Sequence, residues 1–196
     1  YRARIEYELN TYKGFDGTVN YFTKSWETVD KELKTDFDIG RQLKKLNLSK
    51  DILPDSIINI SDKLDKAKAI FNHVKSNYVW NDRHDLYKDS SVKDLIKEKT
   101  GSAAEINILL HNLLKENEID VFPILVSTRS NGFATRVYPV ISDFNYIIPQ
   151  VKVNDKIYLL DATNKYHFFG EIPYKCLNQY GRLLDFKNGS SWVEID

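Results

Sequence analysis

Apolar and charged residues alternate without a break along Tyr1-Arg-Ala-Arg-Ile-Glu-Tyr-Glu-Leu9, the period-two pattern of a half-exposed antiparallel strand. Gly14 and Gly17 end it in a turn. Trp26, Val29, Leu33 and Phe37 then mark a short amphipathic helix behind the cap candidates Thr23 and Ser25, and Ile39, Leu43 and Leu46 suggest a second. Pro54 breaks the chain ahead of a long helix. Its cap is Ser61, and Leu64, Ala67, Ile70, Phe71, Val74 and Tyr78 form its buried face. A polar loop with two aromatics, Tyr78–Asp85, and a short helix near Ser91–Glu98 follow.

The strongest local signal is Thr100–Leu114. Ser102-x-x-Glu105 reads as a capping box, the hydroxyl taking the backbone N–H three residues on while Glu105 reaches back. Behind it Ile106, Leu109, Leu110, Leu113 and Leu114 repeat at the spacing of a buried helical stripe. Beyond Asn117 the pattern changes to strands, expected at Val121–Ser127, Asn145–Val153, Ile157–Leu160 and Trp192–Ile195. Helices first and strands after predict an α+β fold with N-terminal helices packed on an antiparallel sheet. Asn154-Asp155 is a two-residue hairpin signal. Pairing across it sets Ile148 opposite Asp161 and Tyr146 opposite Thr163, so Tyr146 and Asp161 share a face as diagonal neighbours roughly 7–8 Å apart. Pro149 bears on this register, because a bulge there would turn Tyr146 to the other face.

Composition narrows the field. Hydrophobic residues at 42% and aromatics at 13% suffice for a packed core, and 196 residues suit one mixed domain with an attached subdomain. The division expected is 1–60, an N-terminal strand and short helices, and 61–196, the core. Lys+Arg 28 against Asp+Glu 28 leaves no net charge and no basic stripe, which argues against nucleic acid and against anionic membrane as partners. No apolar run has the length of a membrane span and no signal peptide is evident, so no direct membrane insertion is expected. Methionine is absent even at position 1, which predicts a segment of a longer protein. One cysteine, Cys176, excludes an internal disulfide, and His73, His84, His111 and His167 lack metal-ligand spacing. Neither a metal nor a cofactor is expected.

Gly101-Ser-Ala-Ala-Glu-Ile-Asn107, Pro123–Arg129 with Asn131-Gly132, Phe144-Asn-Tyr146, Leu160-Asp-Ala-Thr163, and Gly170-x-x-Pro173 with Leu177-Asn178 occur in the order of a known family. Over roughly Ser61–Leu184 the chain resembles the transglutaminase-like core, a papain-like cysteine fold, of bacterial extracytoplasmic proteins flanked by β-sandwich domains. The resemblance implies a periplasmic or cell-surface setting and a cleft built for acyl chemistry. It places the family's nucleophilic cysteine on Ala103, its histidine on Tyr146 and its aspartate on Asp161, a degenerate triad with two of its members replaced. The first turn of a helix is where a thiolate is stabilised by the helix dipole and free N–H groups. Here that turn holds a methyl group.

Each candidate has two readings. Ser102 is a substitute nucleophile or simply the N-cap its capping box makes it. Ala103 is a lost nucleophile or an ordinary small residue. Asp161 is a relic of the triad or a hydrogen-bonded turn former, and Tyr146 could satisfy it through its hydroxyl. Trp80, Asn81, Arg83, Ser102, Asn107, Arg129 and Tyr146 are the cleft candidates, read either as recognition groups or as packed and loop-ordering residues, and Asn131 shares the second reading with Arg129. Cys176 reads as a small buried hydrophobe, and His111 as a helix-flank histidine bonded to backbone or water. Three functions stand open: an inactive domain whose cleft binds a peptide, a protein segment or neighbouring domains of its own chain; an active acyltransferase or amide hydrolase using Ser102, or a histidine from the Trp80–Asp85 loop; and a purely architectural spacer.

Overall fold

The structure, a computed structural model, describes residues 11–21 and 24–195; the alternating stretch Tyr1–Leu9 and Thr23 lie outside them. Gly14 and Gly17 sit in the turn of a hairpin in which β1 (Thr11–Lys13) pairs antiparallel with β2 (Val19–Tyr21). Ser25 caps α1 (Trp26–Thr35), its hydroxyl accepting from the Thr28 N–H. The Asp36 carboxylate then takes the N–H groups of Asp38 and Ile39 and turns the chain, leaving Phe37 exposed past the helix end. The helix expected over Ile39–Leu46 is a single 3-10 turn, Gln42–Lys44, and Leu46 is exposed. Two one-turn helices follow, α2 (Ser49–Ile52) and α3 (Asp55–Ile58), too short to show a period. The cap of α2 is remote in sequence: Glu116 accepts from the N–H groups of Leu48 and Ser49 and from the Ser49 hydroxyl.

The long helix α4 (Lys63–Asn77) buries Ala67, Ile70, Phe71 and Val74, as its periodicity predicts. Its cap is Asp62 rather than Ser61, with the carboxylate on the Asp65 N–H at 2.9 Å. Next, β3 (Val79–Trp80) forms a short parallel ladder with β4 (Thr100–Gly101) around α5 (Val92–Glu98), which Ser91 caps. The capping box of α6 (Ala103–Glu116) is complete, with the Glu105 N–H to Ser102 Oγ at 3.2 Å and the Ser102 N–H to Glu105 Oε2 at 2.7 Å. Ile106, Ile108, Leu109, Leu110, Leu113 and Leu114 are all fully buried, because α6 lies between the sheet on one side and α4 and α5 on the other.

That sheet contains β5 (Asp120–Val126), β6 (Tyr146–Val153), β7 (Lys156–Leu159), β8 (Gln179–Leu183) and β9 (Ser191–Ile195), all antiparallel in the order β7-β6-β5-β8-β9. Asn154 and Asp155 both take left-handed φ in the β6–β7 turn, the requirement of the tight hairpin they signal. Pairing follows the expected register from Val153↔Lys156 to Gln150↔Leu159 and then stops, so Asp161 lies just past the strand. Pro149 causes no bulge. It stands opposite Pro123, and the carbonyls of the two point outward to the Leu160 and Leu184 N–H groups, so neither ring removes a bond between β5 and β6. Within this sheet the strand that sequence patterning misses is β8. Its Gly181 leaves room for Ile124 and Ile195, and its buried Arg182 pairs with Asp30 at 2.6 Å beneath Trp26 and Trp192. Val29, Leu33, Ile39 and Leu43 share one hydrophobic core with α4, α6 and the sheet.

His111 is not a flank residue. It is 2% exposed, with Nδ1 3.0 Å from Asn112 Oδ1, and burial lowers its pKa to about 4. Protonation therefore favours the unfolded chain, where imidazole titrates near 6.5. Stability contributed by neutral His111 is fully present above that value and is lost as the pH falls toward 4, by about 3 kcal/mol in all. Urea midpoints measured across this interval are expected to fall toward acid, and His111→Gln to flatten the fall; an unchanged slope in the variant would refute the assignment.

Candidate functional site

Asp161 is fully buried, so every lone pair it carries needs a donor from the protein. Its Oδ2 accepts from Asn107 Nδ2 at 3.0 Å and from the Tyr146 hydroxyl at 2.8 Å. Its Oδ1 accepts from the Thr163 N–H at 3.0 Å and from the Thr163 hydroxyl. Asn107 is fully engaged as well: it donates to the Ile147 carbonyl at 2.9 Å and accepts from the Ala162 N–H at 3.0 Å. The Tyr146 hydroxyl is thus committed to Asp161 as a hydrogen-bond donor. Burial and the neighbouring Asp161 charge raise the Tyr146 pKa, so the phenol donates its proton in a bond and does not act as a base.

The N-terminal turn of α6 is closed in the same way. The Ala103 N–H donates to the Arg83 carbonyl at 2.9 Å and the Ala104 N–H to the His84 carbonyl at 3.3 Å. Those of Ser102 and Glu105 are spent in the capping box. No N–H of the turn is left to bind a thiolate or a developing oxyanion. Ala103 itself is 1% exposed, packed with Tyr146, Cys176, Ile124 and Val126.

His84, the histidine of the Trp80–Asp85 loop, and Lys175, which carries no sequence signal, cover this turn. The His84 ring stacks on Trp80, with centroids 6.0 Å apart, and meets Tyr146 edge-on at 5.1 Å. Lys175 donates to His84 Nε2 at 3.1 Å and lies 4.4 Å from the Trp80 ring centroid and 4.7 Å from that of Tyr146. A nitrogen that accepts from an ammonium is unprotonated, and burial, followed by the Lys175 charge, lowers the His84 pKa accordingly. His167 comes within 4.0 Å of Asp161, Nδ1 to Oδ1, and that buried nitrogen has no hydrogen-bond partner. Cys176 also lies close enough to feel the Asp161 charge. Burial, reinforced by that carboxylate, pushes the thiol up, the opposite of an activated nucleophile.

The fold therefore brings together Ala103, Asn107, Tyr146, Asp161 and Trp80. Asn81, Arg83 and Ser102 instead line a neighbouring polar cleft of about 610 Å3 with Asp38, Asp85 and Glu105. There the Asn81 carboxamide accepts the Arg83 N–H, Arg83 pairs with Asp85, and Ser102 Oγ serves the cap. Arg129 orders a loop: its side chain donates to the Leu177 carbonyl at 2.8 Å and lies over Tyr174, and its backbone N–H donates to the Lys175 carbonyl. Asn131 likewise ties Ser127 to the Asp143 carbonyl. Among the described residues, no group of three His, Cys, Asp or Glu could hold a metal ion, and no helix is long and apolar enough to cross a membrane.

No protein-family model matches the chain, and no curated protein does. Among solved structures, a candidate protease from Parabacteroides distasonis aligns with 98% of the chain at 14% identity and a TM-score of 0.59. A candidate cysteine protease from Cytophaga hutchinsonii aligns with 81% at 15% identity and a TM-score of 0.47. The fold is papain-like. The chain spans 36% of the length of the Parabacteroides protein and 52% of the Cytophaga protein. At such identities the likeness speaks for the fold alone.

Removing one donor from the buried carboxylate is expected to cost about 1–3 kcal/mol, so Tyr146→Phe lowers stability by that amount. Asn107→Ala opens three bonds at once and is expected to cost more. Chemical denaturation of both variants reads the difference, and equal stability of Tyr146→Phe and the parent would contradict the network.

Proposed function

We propose that this chain is a catalytically inactive papain-like domain of a larger extracytoplasmic protein, acting there as a binding and scaffolding module. One observation carries the reading: each part that acyl chemistry would use is already consumed within the fold. A methyl group stands at the nucleophile position, a phenol replaces the base and is bonded to Asp161, and the N–H groups of the α6 first turn are paired. Nucleophilic catalysis needs a base within hydrogen-bond reach of the attacking atom and free donors for the oxyanion. Ser102 does not supply the alternative, since its hydroxyl accepts the Glu105 N–H and the nearest histidine of the loop, His84, is engaged by Lys175. The length of the Parabacteroides protein relative to this chain supports the role of one module among several.

Assays for amide hydrolysis and for glutamine acyl transfer are expected to give no turnover above buffer, and serine- and thiol-directed reagents to leave the folded chain unlabelled. Turnover abolished by Ser102→Ala would remove the reading. The same substitution in the inactive domain is expected to lower stability by about 1 kcal/mol, the worth of an N-cap.

A further inference from the structure

Beside the closed turn lies an open groove of about 620 Å3, lined by Lys75, Tyr78, Val79, Trp80, Lys165 and Tyr166 among others. Val79 is 63% and Tyr166 75% exposed, an apolar and aromatic surface turned to solvent. No Asp or Glu lines it, although acids and bases are equal in number over the chain. Lys75 donates to the His167 carbonyl at 2.8 Å, and Lys165 lies over the Tyr166 ring at 5.2 Å. Lys99 and Lys175 lie over the rings of Tyr78 and Trp80. None of the four meets a carboxylate at ion-pair distance among the described residues.

The backbone adds a second and independent observation. The sheet of β3 and β4 contains those two strands only, so one edge of β3 is uncovered among the described residues. The Val79 and Asn81 N–H groups point to β4, reaching the carbonyls of Lys99 and Gly101 at 2.9 and 3.0 Å. By the alternation of a strand, the N–H and C=O of Trp80 point the other way. An extended chain laid along that edge would pair with Trp80 and set alternate side chains over the groove.

We infer that the groove takes an extended acidic peptide segment. Its backbone pairs with the β3 edge, its carboxylates meet Lys75 and Lys165, and its apolar side chains rest on Val79 and Tyr166. This rests on the reading of the domain as a non-catalytic binding module and names the chemistry of its partner.

The test measures, by calorimetry, binding of a blocked Glu-Ser-Leu-Ser-Glu-Ser-Leu peptide, in which Glu and Leu share one face of the extended chain. Its Lys–Leu counterpart, a backbone N-methylated Glu–Leu version and a sulfated oligosaccharide serve as comparisons. The Glu–Leu peptide is expected to bind, to weaken with added salt, and to lose about tenfold in affinity with Lys165→Glu. Lys75→Glu is expected to act in the same direction, and Lys152→Glu, outside the groove, to change nothing. N-methylation is expected to abolish binding, because it removes the donors that the edge requires. Equal affinity for the Lys–Leu peptide, indifference to Lys165→Glu or to N-methylation, or tighter binding of the sulfated oligosaccharide would each overturn the proposal. Such a failure with no acyl turnover leaves the inactive-module reading standing, whereas turnover of any amide removes that reading first.

Discussion

A carboxylate sealed from water is the constraint around which this domain is assembled. Burying one without partners costs many kcal/mol, and breaking a buried hydrogen-bonded group costs several. Asp161 avoids the cost by drawing donors from α6 through Asn107, from β6 through Tyr146, and from its own turn through Thr163. Helix, sheet and loop are thereby pinned at one point. Asn107 extends the tie to the Ile147 carbonyl and the Ala162 N–H, so the central helix cannot slide along the sheet without unpairing several buried groups.

The same economy of hydrogen bonds sets the chemistry. A papain-like active site works because some of its groups are left unsatisfied: a thiol at a helix start, donors around it, an imidazole free on one nitrogen. In this chain the N–H groups of the α6 first turn and both oxygens of Asp161 are paired within the fold. The carbonyls of Arg83 and His84 cap the helix start that would otherwise bind negative charge, and Lys175 covers it between two aromatic rings. His84, His167 and Cys176 gather around Asp161, yet the first is held neutral by burial and by an ammonium, and the last is held protonated by burial. Proximity of reactive residue types is not activation. The polarity of their surroundings decides.

One loop links the closed interior to the open groove. Trp80 donates its indole N–H to the Arg83 carbonyl, stacks on His84 and receives Lys175 beside the start of α6. Its backbone meanwhile forms an edge of β3 that no strand pairs among the described residues. Aromatic area lies at the rim beside lysines that meet no carboxylate at ion-pair distance among the described residues.

How much of this was written in the chain can be read residue by residue. Strong local chemistry was legible: the Ser102–Glu105 capping box, the stripe on α4, the Asn154-Asp155 turn and, through its register, the meeting of Tyr146 with Asp161. These depend on contacts a few residues apart or across one tight hairpin, where spacing alone fixes geometry. The Gln42–Lys44 turn was overread as a helix because its apolar residues serve a core shared with distant segments. The strand β8 was missed because its buried Arg182 looks polar until Asp30 and two tryptophans surround it. Nor could spacing announce that the loop carrying His84 and the turn carrying Lys175 would close over Ala103, since those contacts join segments some 90 residues apart. Local spacing settles the helices α4 and α6 and the β6–β7 hairpin, whose deciding partners lie only a few residues away. The pairing of Asp161, of the α6 first turn and of Arg182 emerges only in the folded chain, because satisfaction of a buried polar group depends on partners that folding, not adjacency, brings near.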